Sequence, residues 1–175
     1  MTGAALESAI LIPVTEAEPV VGAIRADHDP SAAAGIPAHV TLLYPFAEPS
    51  TIDAATVERI GSVFAASMPF RFVLSDTGWF GGEVLYLAPE PREPFVWLTE
   101  SLASRFPAFA PYGGAFDEVI PHLTVAMRGS EAMRDEIRAG LPIAAAVSEA
   151  VLMVEGEDAR WSVAERFPLG RRRPG

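Results

Sequence analysis

Two short segments of this chain share residue types whose spacing has chemical meaning. His39-Val40-Thr41-Leu42 and His122-Leu123-Thr124-Val125 both read His, aliphatic, Thr, aliphatic. The chain holds only three His and eight Thr. A chance placement of Thr two positions after two of the three His has odds of roughly one in a hundred. Strand side chains alternate between faces. His39 and Thr41 therefore share one face, as do His122 and Thr124, while Val40, Leu42, Leu123 and Val125 point into a core. If the two strands lie side by side, two imidazoles and two hydroxyls line one cavity. Such a set suits phosphoryl transfer without a metal. A neutral imidazole takes a proton from the attacking hydroxyl or water, and a protonated one gives a proton to the departing oxygen. Hydroxyls donate to the non-bridging phosphoryl oxygens, where charge concentrates. An ordinary His pKa near 6.5 gives access to both protonation states at neutral pH.

Composition removes competing chemistries. There is no Cys, which excludes disulfide scaffolds, Cys-ligated metals and thiolate nucleophiles. There is no Lys either, since all 13 basic residues are Arg, which excludes a P-loop and Lys nucleophiles. With a formal net charge of −10, the chain lacks the basic stripe that releases counterions from duplex nucleic acid. Duplex DNA is therefore not an expected partner, although a nucleotide or a short RNA end fits a local cleft. The Arg171–Arg173 run reads as a solvated basic tail over 171–175. No apolar run is long enough for a signal peptide or a bilayer span, so a cytoplasmic protein with no membrane partner is expected. A length of 175 residues suits one domain over 1–170, or two small lobes sharing a cleft, and a monomer is the default state.

The elements that must position the motifs follow from pattern. Ser8–Val14 reads as a strand, Glu16–Arg25 as a helix and His39–Tyr44 as a strand between Pro37 and Pro45. Ser50 with Asp53 resembles a capping box that opens a helix to about Ser67. Phe70–Thr77 and Val84–Ala88 form a hairpin around Gly81-Gly82. A helix starts near Pro94, and Pro107–Asp117 is a loop. Val119–Met127 is a strand, and Ser130 caps a helix that stops at Gly140. Ile143–Val154 and Arg160–Phe167 make a last strand pair across the acidic turn Glu155–Asp158. A rough repeat opens at each His strand, over 39–88 and 122–167.

The paired motifs resemble the 2H phosphoesterase superfamily, the group of 2′–5′ RNA ligases and 2′,3′-cyclic phosphodiesterases. Pro37–Phe46, Pro111-Tyr112-Gly113-Gly114 with Ile120–Val125, and Val84–Pro89 carry the likeness, which covers roughly residues 8–168. The resemblance implies an α+β, bilobal, pseudo-twofold fold with antiparallel sheets lining a central cleft and helices outside. It implies catalytic roles for His39 and His122 and phosphate contacts from Thr41 and Thr124. The implied reaction opens a 2′,3′-cyclic phosphate or related phosphodiester of a nucleotide or short RNA end, with 2′–5′ ligation as its reverse. It implies neither a metal nor an organic cofactor. A non-catalytic nucleotide or RNA-end binding module, or an enzyme of the same fold acting on a non-RNA phosphoester, is the alternative.

Other residues carry weaker signals. Tyr44, Phe46 and Tyr112 lie near the motifs and are candidates for stacking on a base, with core packing as the competing account. Arg128 follows the second motif and, like Arg25, is a candidate for neutralising substrate phosphate, with solvated surface as the default. Trp79 and Phe80 precede the hairpin turn and are candidates for the cleft edge, with packing as the default, and Trp161 reads as core. His28 between Asp27 and Asp29 reads as solvated charge rather than a metal site.

Overall fold

The computed structural model describes residues 5–114 and 118–170, without the side chain of Tyr112. Eight strands form two four-stranded antiparallel sheets, with helices packed against them. The strands are β1 (Ser8–Pro13), β2 (His39–Leu43), β3 (Phe70–Phe80), β4 (Val84–Glu90), β5 (Leu123–Ala126), β6 (Ile143–Val147), β7 (Glu149–Glu155) and β8 (Trp161–Pro168). The helices are α1 (Glu18–His28), the single turn α2 (Pro30–Ala33), α3 (Ala54–Ala65), α4 (Glu93–Arg105) and α5 (Glu131–Arg138). The sheet orders are β2-β1-β7-β8 and β5-β4-β3-β6. Each motif segment thus belongs to the edge strand of its own sheet, and β2 and β5 are in contact with each other.

Local chemistry explains most boundaries. Asp53 caps α3, its carboxylate accepting from the Thr56 backbone N–H at 2.8 Å. Ser50 instead sits in a 3₁₀ turn over Pro49–Thr51, so the expected capping box starts three residues too early. Ser130 caps α5 through the Met133 N–H, and Pro lies in the first turn of α4. Gly81 and Gly82 hold φ of 57° and 75°, the left-handed angles that the β3–β4 turn requires.

Two expected strands change. Ile143–Val154 divides at Ser148 into β6 and β7, which belong to different sheets. Burial marks the crossing. Ile143, Ala145 and Val147 are buried in alternation, whereas Ala150 to Met153 are all buried. The expected strand Val119–Met127 shortens to β5, leaving His122 one residue before it.

The repeat is real but opens one strand earlier than its motifs suggest. Both halves run strand, helix, motif strand, helix, strand, β1-α1-β2-α3-β3 and β4-α4-β5-α5-β7, with the single turn α2 added in the first and β6 inserted before β7 in the second. The contacts obey the same exchange. The first-half helix α1 packs on β5 and α5, while α4 packs on β2 and α3. Each motif strand is therefore backed by a helix from the other half.

The buried core is continuous between the sheets and includes Val40, Leu42, Leu123 and Val125. Full burial of such side chains contributes about 1.5–3 kcal/mol each. The apolar positions of the motifs thus fix the strands that carry the polar ones. Among the described residues no helix is long and apolar enough to cross a membrane.

Candidate active site

His39 and His122 are held by the same local device. His39 Nδ1–H donates to the Pro37 carbonyl at 2.8 Å, and His122 Nδ1–H donates to the Ile120 carbonyl at 2.7 Å. A carbonyl only accepts, so in the neutral ring the proton sits on Nδ1 and Nε2 carries the lone pair. Two imidazoles thereby present the same nitrogen for proton transfer. Charge on His122 is felt at His39, where it lowers the pKa.

Burial dominates both titrations. Desolvation lowers the His39 pKa to about 4, the Pro37 hydrogen bond opposes it, and the Arg25 charge lowers it further. Desolvation also lowers the His122 pKa, against the bond to Ile120. Both rings are therefore held toward the neutral form.

The threonines follow the strand register. Thr41 lies opposite Leu11 on β1, with His39 opposite Pro13 two positions away. Both line a cavity of about 350 Å³. Thr124 lies opposite Tyr86 on β4, and Tyr86 lies opposite Gly78 on β3. Gly78 makes room for that ring, because a Cβ there would stand 2.4 Å from Tyr86 Cζ. Phe80 stacks on Tyr86 with centroids 4.2 Å apart, and both rings meet the His122 imidazole, at 4.8 and 5.7 Å.

The segment before His39 is gripped by α1. The Ala38 N–H donates to Glu18 Oε1 at 2.6 Å, and Arg25 Nη2 donates to the Ile36 carbonyl at 3.2 Å. Arg25 is only 2% exposed and is not the surface residue expected. Its Nε and Nη2 both bond Asp29 Oδ2, at 3.1 and 3.0 Å, and Nη2 also reaches Ser31 Oγ. Asp29 is thereby committed to Arg25 and Ser31. His28 and Asp27 line a separate cavity at the end of α1.

The remaining candidates divide. Tyr44 lines the cavity that holds His39 and Thr41. Phe46 does not contact that cavity. It is 5% exposed and packs against Phe106 and Phe109 at 5.1 and 5.0 Å, because its neighbours across the α4 end are aromatic. Arg128 is exposed and lines the His28 cavity instead, since it lies beyond the end of β5. The Tyr112 side chain and the Arg171–Arg173 tail lie outside the described residues. Trp161, expected in the core, is half-buried and lines the His39 cavity.

Sequence reasoning passed over Tyr86, and it weighed Arg25 as a phosphate contact or solvated surface rather than as the buried support of the His39 lead-in. Signals for both were present. Tyr86 alternates with buried Leu85 and Leu87 and so shares the Thr124 face. Arg25 follows Val21 by four residues on the buried stripe of α1.

Comparison with known proteins fits this geometry. The family model described as 2′-5′ RNA ligase superfamily matches residues 13–159. A Bacillus cytotoxicus protein named as an inferred phosphoesterase is 25% identical over 169 residues, covering 93% of this chain and 95% of its own. Among solved structures, TT0787 of Thermus thermophilus superposes with a TM-score of 0.64 at 20% identity, over 94% of this chain and 98% of that one. E. coli LigT in complex with 3′-AMP gives 0.60 at 19% identity, over 95% and 99%. LigT has also been solved with NADP⁺ and with ATP. These structural likenesses establish a shared α+β fold.

Proposed function

This chain belongs to the 2′-5′ RNA ligase superfamily, and from that premise we propose that it is a phosphoesterase that opens a 2′,3′-cyclic phosphate at a nucleotide or short RNA end. The observation that carries the reading is the matched tethering of His39 and His122 through Nδ1, which leaves Nε2 of each ring available for proton transfer. One neutral imidazole accepts a proton from water as the water oxygen bonds to phosphorus. The other, protonated, gives its proton to the ribose oxygen as the ring P–O bond breaks. The product is a phosphomonoester beside a free hydroxyl. Attack by a hydroxyl of a second nucleotide end in place of water uses the same two roles, gives its proton to the neutral imidazole as the ring P–O bond breaks, and forms a phosphodiester, the ligation direction. The Thr41 and Thr124 hydroxyls donate to the non-bridging oxygens, where donors are worth most in a desolvated cleft.

The lowered histidine pKa values fit an anionic substrate. A phosphate entering the cleft brings negative charge beside both rings and raises their pKa values, so one ring takes up the catalytic proton as substrate binds. Solved complexes of LigT with three nucleotides support a nucleotide-sized ligand. The net charge of −10 disfavours long polyanions, which gives a shallow dependence on salt and on oligonucleotide length.

The test is turnover of the four nucleoside 2′,3′-cyclic phosphates and of short cyclic-ended oligonucleotides, followed across pH. The expected result is opening to a monophosphate with a bell-shaped pH profile. No opening of any cyclic phosphate, or affinity that climbs steeply with length, would overturn the reading.

A further inference from the structure

The cavity that His39 and Thr41 line is also walled by residues of a different character, Trp161, Tyr44, Ile36 and Glu7. The Tyr44 hydroxyl donates to Glu7 Oε2 at 2.6 Å. Glu155 stands next to it, with its own Oε2 accepting the Glu7 backbone N–H. Two carboxylates make this wall hostile to phosphate, while the two aromatic rings and Ile36 favour a flat, weakly polar group. The frame is anchored. The Trp161 backbone N–H donates to the Ala34 carbonyl at 2.8 Å, and Gly35, at φ 100°, lets that chain pass close beneath Trp161.

We propose that this wall of the cavity is a nucleobase subsite selective for guanine, the base whose sugar carries the phosphate held by the His and Thr side chains. The assignment rests on the phosphodiesterase reading above and adds the identity of the base. The chemistry of the wall selects it. A carboxylate only accepts hydrogen bonds. Guanine presents two adjacent donors, N1–H and the N2 amino group, which match the two oxygens of one carboxylate as a fork. Adenine and cytosine present an amino group beside a ring acceptor, and that acceptor faces a carboxylate oxygen unfavourably. Uracil presents one N–H between two carbonyls. The Tyr44 hydroxyl, its pKa pushed up to about 12 first by the bond to Glu7 and then by burial, stays a donor and keeps Glu7 turned into the wall. Trp161 supplies the stacking surface, a contribution that is tolerant of base identity, so discrimination falls to Glu7.

Two measurements test this on the whole chain. The first is kcat/KM for guanosine, inosine, adenosine, cytidine and uridine 2′,3′-cyclic phosphates, and for trinucleotides ending in each base. Guanosine should lead by about 100-fold, about tenfold for each of its two donors. Inosine, which keeps N1–H and lacks the amino group, should fall between guanosine and the rest, because a hydrogen bond to a charged group is worth about a factor of ten. Glu7→Gln should erase most of the preference while the other bases change little, and Trp161→Ala should raise KM for every base. The second is binding of guanosine itself, without phosphate, read by isothermal titration calorimetry in wild type and Trp161→Ala. A guanosine preference in mononucleotides and trinucleotides alike assigns the subsite to the terminal nucleoside. Turnover without base preference, or a preference that Glu7→Gln leaves intact, overturns the subsite and spares the phosphodiesterase reading. Saturable guanosine binding lost in Trp161→Ala, with no cyclic phosphate opened, keeps the subsite and overturns that reading. If Trp161→Ala fails to fold, Glu7→Gln decides alone.

Discussion

The two halves carry the same motif and the same tether to a carbonyl two residues upstream, yet their surroundings differ in kind. Around His39 the frame is polar and buried. Arg25, Asp29, Ser31 and Glu18 hold the Ile36–Ala38 backbone, and the Arg25 charge adds to burial in lowering the His39 pKa. Around His122 the wall is aromatic, with Phe80 and Tyr86 edge-on to the imidazole and Gly78 clearing their space. A repeated motif can therefore keep one local geometry while each copy sits among neighbours of its own. The neighbours differ because α1 and the turn after it supply the frame around His39, whereas β3 and β4 supply the wall around His122.

The most direct attack on the equivalence is to remove each imidazole. His39→Ala and His122→Ala should each lower turnover of a cyclic phosphate by about 10² or more, since a positioned acid or base contributes 10²–10⁴-fold. Both rings are only half-buried, so denaturation midpoints should move little. Steady-state kinetics on the folded variants is the measurement. Near wild-type activity in either variant would show that the halves are not functionally paired.

The polar frame is the next target, and it has its expected effect on folding. Arg25→Met leaves the Asp29 carboxylate buried with half of its partners gone. Breaking a buried pair by removing one member costs roughly 3–5 kcal/mol. Arg25→Met with Asp29→Asn should recover part of that loss, because the stranded charge is removed. Urea unfolding of the two variants distinguishes these outcomes. A loss below about 1 kcal/mol for the single variant would mean that the frame does not hold the β2 lead-in.

These contrasts also show what the sequence makes legible. The motif strands, their apolar anchors, the hairpin at Gly81-Gly82 and the capped helices are set by local pattern, and their residues alone point to them. The fold class was readable for the same reason, through the repeat of those patterns. Sheet membership was not, because Ser148 divides one apolar run between two sheets and only long-range pairing decides where each part goes. Nor was the side-chain environment. Phe46 and Trp161 look alike as aromatic residues, and their exchange of roles, one into the Phe106–Phe109 cluster and the other onto the cavity, depends on elements that close over them from distant parts of the chain.

The aromatic wall is probed with less force by Gly78→Ala. The added methyl would meet Tyr86 at 2.4 Å, so the ring must leave its place against His122. Overpacking of this kind costs about 1–3 kcal/mol. Turnover should fall several-fold through the displaced wall, with one limb of the pH profile moving and the other staying in place. An unchanged rate with the full stability loss would assign the wall to packing alone.

The smallest effect sharpens the comparison through pH. The His39 pKa is pushed from 6.5 down to about 4 on folding, chiefly by burial. Between those values the unfolded chain binds a proton at this site and the folded chain does not. Stability therefore rises with pH across that window, with a slope of at most about 1.4 kcal/mol per pH unit for one proton. The contribution is complete above pH 6.5, is lost as pH falls toward 4, and levels off below. His39→Gln removes the site and keeps the carboxylates that titrate in the same range, so the two unfolding curves share that background. Wild type should lose more stability than His39→Gln between about pH 7 and 4. The sign reverses if a phosphate monoanion or a nucleoside monophosphate is present, because the ligand's charge raises the His39 pKa and binding then takes up a proton. Ligand stabilisation of wild type should accordingly increase as pH falls toward about 5, and His39→Gln should show a weaker increase. Parallel curves for the two proteins, with and without ligand, would mean that His39 titrates normally in the folded chain and that the polar frame around it does not tune its charge.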